Sequence, residues 1–317
     1  MNGDFSPNSD GPVLVIGSSA VDIVGSLKEP IRMGVSNLSQ IRTSYGGVGR
    51  NLAENLARLG QPVKLISVVG EDDFGDNLID HGYDAGVDMS SVLISPKAPT
   101  GFYLGVVDEK GNLQVALDDM RVMQALTPDF LEDKVQLFKE ASLLFIDANL
   151  SKATLRKAIS LAWRVKIPIC GDPTAFTLAH RFLKYLPRLK LITPDVLEAG
   201  VLCGREIDPA NQAQVLESAK SIVSQGIDIV VITLAQFGVC YATSKTSGFI
   251  PAIRMKITDP TGGGDAFSSG LIFGLLNGMQ LDEAVRLGVS AATLTLQYPG
   301  AVVPDLSLEK LYDQLVI

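Results

Sequence analysis

Thr258-Asp-Pro-Thr-Gly-Gly-Gly-Asp-Ala-Phe267 is the stretch that most constrains the fold of this 317-residue chain. Three consecutive glycines end at Asp265, and an apolar segment follows them. Glycines let backbone N–H groups converge without interference from Cβ atoms, and a helix N-terminus adds the positive end of a helix dipole. The stretch therefore predicts a helix over 266–276 whose N-terminus binds an anion such as a phosphoryl group.

Asp265 stands where a general base would act. A carboxylate at this point competes with a bound anion, so compensation of the helix dipole does not by itself explain it. Beside a transferring phosphate it would accept a proton from the attacking hydroxyl, a role worth on the order of 10²- to 10⁴-fold in rate. An ordinary glycine-rich loop with Asp265 as the N-cap of the helix is the alternative that these residues leave open.

Two common nucleotide motifs do not fit this stretch. A Walker A loop needs Lys-Ser/Thr after its last glycine, and here Asp265 and Ala266 follow. A dinucleotide fingerprint follows the first strand and needs an acidic residue downstream at a set spacing, which is missing here. A nicotinamide-dependent oxidoreductase is therefore disfavoured.

A second glycine cluster, Gly46-Gly-Val-Gly-Arg-Asn51, opens an amphipathic helix predicted over 50–59. Gly46 and Gly47 would let the backbone approach a ligand closely. Asn51, on the first helical turn, offers both a donor and an acceptor to a hydroxyl group. A plain junction between a loop and a helix remains the alternative at this position.

The composition excludes several classes of protein. Thirty-five acidic residues against 27 basic ones give a formal net charge of −8, which argues against a general binder of nucleic acids or anionic membranes. Two histidines and three cysteines without metal-ligand spacing disfavour a His-based metal centre or a Ser-His-Asp site. Mean hydropathy is +0.25, yet no apolar run approaches the length of a membrane span. We expect a soluble, cytoplasmic protein with a flexible tail at 1–11.

The rest of the chain alternates between short apolar runs and amphipathic segments, which is typical of a parallel sheet covered by helices on both faces. Strands are predicted at 13–16, 63–69, 143–146, 168–171, 189–192 and 229–232. Further helices are predicted at 74–85, 152–165 and 212–225, together with one that ends at 202. Runs at 100–107 and 113–117 flank a turn-forming loop and predict a β-hairpin. We expect one α/β domain over 12–317, with accessory β elements at about 18–45 and 100–118.

The two glycine clusters together resemble the signatures of the ribokinase-like, or PfkB, family of carbohydrate and nucleoside kinases. The family's first signature is matched in this chain by Gly46-Gly-Val-Gly-Arg-Asn-Leu-Ala53, which Gly60 and Gly70 follow. Its second signature is matched by Asp259-Pro-Thr-Gly-Gly-Gly-Asp-Ala-Phe267. The resemblance covers the chain from Pro12 onward. It implies a three-layer α/β/α sandwich with a mostly parallel central sheet and a small β-sheet lid.

The resemblance assigns catalysis to the second cluster. Asp265 matches the family's catalytic base, and Gly262, Gly263 and Gly264 match its anion hole. Gly263 stands where alanine is commoner in the family.

The resemblance also implies the residues that contact the substrate. Asp22 matches the acid that holds sugar hydroxyls, and Asn149 falls at a strand end where family members place a polar substrate contact, although a strand-end cap is equally open for it. The predicted substrate-binding residues are Asp22, Gly46, Gly47, Asn51, Asp118 and Asn149.

ATP, Mg²⁺ and a monovalent cation such as K⁺ are the cofactors that the resemblance implies. The predicted ATP contacts are Asp195, Thr233, Gly238 and Gly264. Glu198 matches a residue that holds Mg²⁺ through water, and the carbonyls of Asp259 and Thr261 match a monovalent-cation site. The family usually has asparagine in place of Asp195 and often glycine in place of Ala235.

Within the family, the stretches 46–60, 116–120 and 147–151 are most similar to the pseudouridine kinases. We therefore expect ATP-dependent phosphorylation of the 5′-hydroxyl of a ribosyl nucleoside, with pseudouridine first. The alternative is the same chemistry on ribose, fructose or a 2-keto-3-deoxy sugar acid, and a remote one is a non-catalytic nucleotide- or sugar-binding regulator. The lid would exclude water from the site, and a homodimer through the lid is possible. No nucleic-acid or membrane partner is expected.

Overall fold

The fold is described by a computed structural model that covers residues 11–109 and 111–315. The tail predicted over 1–11 lies outside these residues, apart from Gly11. The strands are β1 Val13–Ile16, β2 Ala20–Leu27, β3 Ser39–Gly46, β4 Val63–Ile66, β5 Val68–Gly70, β6 Leu93–Ser95, β7 Gly101–Val107, β8 Leu113–Asp119, β9 Leu143–Asp147, β10 Ile169–Asp172, β11 Leu191–Ile192, β12 Ile229–Thr233, β13 Val239–Thr243 and β14 Ser247–Ile250.

Ten α-helices lie in the described part of the chain, together with 3-10 turns. The helices are α1 Val48–Arg58, α2 Asp73–Asp84, α3 Pro128–Asp133, α4 Val135–Glu140, α5 Lys152–Val165, α6 Val196–Cys203, α7 Gln212–Val223, α8 Gly263–Leu276, α9 Leu281–Gln297 and α10 Leu308–Asp313. The 3-10 segments are Arg121–Ala125, Ala179–Arg188 and Ala235–Phe237. Within 11–109 and 111–315 no helix has both the length and the apolar character needed to cross a membrane.

The large sheet has eight strands in the order β14-β13-β12-β11-β10-β9-β1-β4. The pairs from β12 to β4 are parallel, whereas β12–β13 and β13–β14 are antiparallel. Alternate residues of β1 enter two different cores: Leu14 packs in the core that includes residues of α5–α7, and Val15 in the core that includes residues of α1, α8 and α9. Helices therefore cover both faces, and the predicted three-layer, mostly parallel architecture is confirmed.

The smaller sheet has four strands in the order β3-β2-β7-β8, with β2 and β7 parallel and the outer pairs antiparallel. Side chains two residues apart on a strand share a face. Asp22, Tyr103 and Asp118 are in register across β2, β7 and β8 and line one cavity, so they share the inner face. On the outer face, Ile41 and Leu117 are exposed.

The run predicted as one strand over 63–69 forms two strands that part at Ser67. β4 pairs with β1 in the large sheet, whereas β5 pairs with β6 in a separate two-stranded sheet. The backbone carbonyl of Ser67 accepts a hydrogen bond from the N–H of Leu93, at 2.9 Å. The apolar residues on both sides of Ser67 are buried, so the apolar pattern does not reveal such a change of partner.

Candidate active site

A cavity of about 490 Å³ lies between the smaller sheet and the ends of β1, β9 and β10 in the large sheet. This volume falls in the range of small-molecule sites, roughly 300–1,000 Å³. Nine of the predicted site residues line it, and they are Asp22, Gly47, Asn51, Asp118, Asn149, Asp259, Thr261, Gly262 and Asp265. The other predicted site residues do not line this cavity, and they are Gly46, Gly263, Gly264, Asp195, Glu198, Thr233 and Gly238.

The glycine triplet forms the N-terminus of α8. Gly262 is the N-cap with φ 73°, and a Cβ atom on it would lie 2.1 Å from the carbonyl oxygen of Ala301. The N–H of Ala266 bonds to the carbonyl of Gly262 at 2.9 Å, which leaves the N–H groups of the preceding turn free of intrahelical partners. The alternative of Asp265 as the N-cap is therefore wrong, because Asp265 is the third residue of the helix. Free N–H groups at a helix end suit an anion.

Asp265 is held by one side-chain hydrogen bond in the cavity. The Nδ2 group of Asn51 donates to its Oδ2 at 2.7 Å. Burial raises the pKa of Asp265 to about 7; the bond from Asn51 opposes this shift, and the charges of Asp22 and Asp147 add to it. A carboxyl with a pKa near neutrality is suited to accept a proton at physiological pH.

Asp22 is a second carboxyl with a raised pKa, and its side chain is almost fully buried. Burial raises its pKa to about 7, Arg50 opposes the shift and Asp259 adds to it. Gly46 explains how this carboxyl fits, because a Cβ atom on Gly46 would lie 2.1 Å from Oδ1 of Asp22. Gly46 thus makes room for the group that lines the cavity instead of lining it.

Asn149 is fixed by the protein on two sides. Its Nδ2 group donates to Oγ of Ser18 at 2.9 Å, and its backbone N–H donates to Oδ1 of Asp147 at 2.9 Å. The contacts are those of a residue that ends a strand, and the side chain also lines the cavity. The structure is thus consistent with Asn149 as a strand-end cap and as a substrate contact.

Asp147, at the end of β9, was not predicted as part of the site. It is fully buried, and its Oδ2 accepts hydrogen bonds from the N–H and Oγ of Ser18 (2.7 and 2.9 Å) and from the N–H of Gly49 (3.2 Å). Burial raises its pKa, and these bonds oppose the shift. Asp147 joins the segments that follow β1 and β9 to the start of α1. In the sequence, the one feature that could have marked Asp147 as a site residue is its place directly after the apolar run 143–146.

Asp259 is almost completely buried and forms an ion pair with Arg42 of β3. Its Oδ1 also accepts hydrogen bonds from the N–H and Oγ1 of Thr261, at 3.0 and 2.8 Å. The carboxylate is thus satisfied by protein groups. Binding of a monovalent cation by the carbonyls of Asp259 and Thr261 stays a prediction.

Of the predicted ATP contacts, Asp195 follows β11 and Thr233 ends β12, whereas Gly238 precedes β13 and Gly264 is in the first turn of α8. Asp195 is the N-cap of α6 in a capping box with Glu198: each side chain accepts a hydrogen bond at 2.8 Å from the backbone N–H of the other residue. Thr233 donates its N–H to the carbonyl of Pro194 at 2.9 Å, so it is adjacent to this helix start. The local role of Asp195 is to cap the helix, and its contact with ATP stays a prediction.

The acids on this side of the cavity influence one another. The pKa of Glu198 is raised to about 8 by burial and by the charges of Asp195 and Asp265, against a hydrogen bond from Asp195. Burial and the charges of Glu198 and Asp265 also raise the pKa of Asp172. In the described part of the chain no group of three or more His, Cys, Asp or Glu side chains is arranged to hold a metal ion. The residues fit Mg²⁺ that is bound mainly by phosphate and water, because its charge would offset the crowding of these acids.

The chain is similar to known carbohydrate and nucleoside kinases over most of its length. The profile of the pfkB family carbohydrate kinases matches residues 11–307. The chain is 31% identical over 297 residues to pseudouridine kinase of Escherichia coli K12, covering 93% of this chain and 94% of that protein. It is 28% identical to guanosine-inosine kinase of Exiguobacterium acetylicum, covering 93% and 97%.

A solved structure supports the fold. Arabidopsis thaliana ribokinase in complex with ribose and ATP superposes with a TM-score of 0.84 over 97% of this chain and 99% of that one, at 19% identity. The ribokinase-like architecture that the two glycine clusters predicted is confirmed at this level, since an identity this low shows the fold alone.

Proposed function

The chain belongs to the PfkB family of carbohydrate kinases, and we propose that it transfers a phosphoryl group from ATP to the 5′-hydroxyl of a ribosyl nucleoside, with pseudouridine as the first candidate. The family establishes the reaction class, a phosphotransferase with an alcohol group as acceptor. Two of its similar proteins are named as nucleoside kinases, for pseudouridine and for guanosine and inosine. The choice of acceptor rests on the inner face of the smaller sheet.

Two successive rows of side chains on that face differ in polarity. Asp22, Tyr103 and Asp118 form a polar row in register, and Val24, Gly105 and Ala116 form the next row. All six residues line the cavity.

The polar row suits the hydroxyls of a ribose ring, which need hydrogen-bond partners when they are buried. Arg42 of β3 is in register with Val24 but does not line the cavity. The three residues of the second row that do line it have small apolar side chains or none, so they suit the flat face of a base. A free sugar carries hydroxyls around its ring and would leave some of them unpaired against this row. This change from polar to apolar is the observation that carries the proposal for a nucleoside.

The reaction then follows from the groups already described. Asp265 accepts the proton of the 5′-hydroxyl as that oxygen attacks the γ-phosphorus of ATP, and the bond from this phosphorus to the bridging oxygen breaks, which releases ADP. The N–H groups at the start of α8 stabilise the charge on the transferred phosphoryl group. Mg²⁺, when bound with ATP, would neutralise charge on the phosphate oxygens, and Glu198 is the residue that would hold it through water.

The proposal is tested by ADP release with ATP and a panel of acceptors: pseudouridine, uridine, guanosine, ribose, fructose and a 2-keto-3-deoxy sugar acid. We expect kcat/KM for pseudouridine to exceed that for each free sugar at least tenfold, with the phosphorus signal of a 5′-phosphate in the product. Higher kcat/KM for a free sugar would overturn the nucleoside assignment and leave the kinase assignment in place. Asp265→Asn, assayed in parallel, controls for contaminating kinases.

A homodimer remains a prediction. The outer face of the smaller sheet carries exposed apolar side chains, among them Ile41, Leu104 and Leu117. This is the surface that a homodimer through the lid would cover.

A further inference from the structure

Arg50, the residue before Asn51 on α1, is almost completely buried beside the catalytic carboxyl. Its Nη1 group donates to the backbone carbonyl of Tyr45 at 2.9 Å and to Oδ1 of Asn51 at 2.6 Å. Its Nη2 group forms an ion pair with Glu54. A guanidinium group can donate along several fixed directions at once, and here both Nη groups are used, whereas the buried Nε has no hydrogen-bond partner among the described residues.

The contact with Arg50 determines which way the amide of Asn51 points. Arginine has donors and no acceptor, so only the amide oxygen of Asn51 can face it. The NH₂ group must then point the other way, and it donates to Oδ2 of Asp265 at 2.7 Å. A hydrogen bond donated to a carboxylate favours its ionised form, which is the form that accepts a proton.

Glu54 prevents Arg50 from changing this arrangement. Its carboxylate is buried and accepts hydrogen bonds from Nε and Nη2 of Arg58, at 2.8 and 2.5 Å. Nε2 of His81 lies 3.3 Å from both of its oxygens, and burial together with Arg50 and Arg58 lowers the pKa of His81 to about 4. His81 is thus neutral at pH 7 and contributes no net charge. Glu54 is held from three sides, and it holds Arg50.

We propose that Arg50 is a positioning residue for catalysis: it fixes the amide of Asn51, and through that amide it keeps Asp265 in the state that accepts the proton of the acceptor hydroxyl. Glu54 is the anchor of this chain of contacts. The inference rests on the proposed function, since it assigns Asp265 the role of base. It does not depend on which alcohol is phosphorylated.

The charges around Asp265 explain why such a device is needed. Asp22 and Asp147 raise its pKa, and Asp172 and Glu198 interact with it from β10 and α6. Arg50 is the positive charge that opposes them, and the bond from Asn51 acts in the same direction. Burial lowers the pKa of Arg50 to about 10, so it remains charged at neutral pH.

The first test compares Arg50→Met and Arg50→Lys with a matched control, Arg58→Met. Arg58 donates to the same carboxylate of Glu54 and to the carbonyl of Pro304 but has no hydrogen bond to Asn51, so its loss reports the effect of disturbing Glu54 while the contact of Arg50 with Asn51 is kept. With the fastest acceptor of the panel, we expect both Arg50 variants to lower kcat at least tenfold and to leave KM for ATP within twofold. Arg58→Met should keep kcat within threefold. Arg50→Met with kcat within twofold of the wild type would overturn the proposal.

A second test asks whether Arg50 acts through Asn51. Asn51→Leu removes the amide, and Arg50→Met is then measured in that background. If the amide transmits the effect, the double variant should lose little more than Asn51→Leu alone, because the two losses share one contact. If the double variant instead loses kcat by the product of the two single-variant factors, the effect of Arg50 is not transmitted through Asn51.

A readout without acceptor separates this inference from the proposed function. Aspartate labelled with ¹³C at the side-chain carboxyl is titrated in the wild type, in Arg50→Met and in Asp265→Asn, which assigns the signal. We expect the pKa of Asp265 to rise by half a unit or more in Arg50→Met, whether or not any acceptor is turned over. An unchanged pKa in a folded variant would overturn the inference. If Arg50→Met does not fold, Arg50→Met/Glu54→Gln also removes the buried negative charge that Arg50 balanced and is measured instead.

Discussion

Arg42, on β3 of the smaller sheet, forms an ion pair with Asp259, which lies 217 residues further along the chain. Asp259 is almost completely buried, and its carboxylate also binds the N–H and Oγ1 of Thr261, next to the glycine triplet. Arg42 is in register with Val24, which lines the cavity, so the ion pair crosses from the smaller sheet to the loop that leads into α8. It holds the two walls of the cavity together.

We expect Arg42→Met to raise KM for the acceptor about three- to tenfold and to change kcat by less than threefold. The pair positions the smaller sheet over the acceptor, whereas Asp265 and the N-terminus of α8 remain in place. Steady-state kinetics with the fastest acceptor measures this. Arg32→Met is the control, because the ion pair of Arg32 with Glu29 is exposed and stays within one loop. Equal KM values for the two variants would contradict the role of the pair.

The raised pKa of Asp265 sets the pH dependence. A base accepts a proton only when it is ionised, so kcat/KM for the acceptor should rise with pH through about 7 and level off above it. Asp22 has a similar pKa and lies in the same cavity, so the profile reports an apparent value for the pair.

Asp265→Asn should lower kcat by at least about 10³-fold, a loss within the range of general-base effects on rate. The dissociation constant for ATP, measured by calorimetry, should stay within about threefold of the wild-type value. The asparagine cannot accept the proton but keeps the shape of the side chain. Near-normal turnover in this variant would remove Asp265 from the role of base.

Asp22→Asn should stabilise the protein while it impairs substrate binding. The pKa of Asp22 is about 7 in the folded state and 3.8 without the fold, so ionised Asp22 costs folding free energy as the pH rises between these values. The gain in unfolding free energy from Asp22→Asn should therefore grow from pH 4 to 7, reach on the order of a few kcal/mol and stay level above pH 7.

Denaturant unfolding at several pH values measures this gain. Asp119→Asn is the control of opposite sign, because hydrogen bonds from Arg121 lower the pKa of Asp119. A gain from Asp22→Asn that shrinks as pH rises would contradict the raised pKa.

Apolar periodicity predicted most of the large sheet, and the glycine clusters together with the family resemblance predicted nine of the residues that line the cavity. Lys152–Val165 matches the predicted helix at both ends, because Ser151 caps it and the chain turns at Lys166, which has φ 63°. The pair β13 and β14 was missed. Its strands are short, and β14 is only partly buried, so neither alternation nor a long apolar run marks it.

Long-range polar contacts were also missed, for a different reason. Asp147 contacts Ser18 across 129 residues, and Arg42 contacts Asp259 across 217. Local propensity contains no information on such pairs, since they follow from which strand ends meet at the sheet edge. Asp195 was assigned to ATP, and only the structure shows that it caps α6 together with Glu198.

Gly105 offers a test of the acceptor class. A Cβ atom there would lie 3.2 Å from Cε1 of Tyr103, and the residue lines the cavity between Val24 and Ala116. Gly105→Val should raise KM for a nucleoside at least tenfold and change kcat/KM for ribose by less than threefold, because the added methyl groups occupy the space assigned to the base. Gly25→Val, on the same strand pair and not in the cavity, is the control. Equal losses for nucleoside and ribose would contradict the assignment of this row.

The glycine triplet separates stability from catalysis. Gly262→Ala should destabilise the protein by at least about 2 kcal/mol, because φ 73° is strained for alanine and the new methyl group would collide with the carbonyl of Ala301. Gly264→Ala should leave stability equal or slightly higher, since a Cβ atom there meets nothing within 4 Å and alanine favours a helix. Turnover should still fall at least tenfold in Gly264→Ala, because the methyl group stands where the phosphate approaches the N–H groups. Thermal unfolding measures the stability of both variants, and steady-state kinetics measures their kcat. Full turnover in Gly264→Ala would show that phosphate does not approach that glycine.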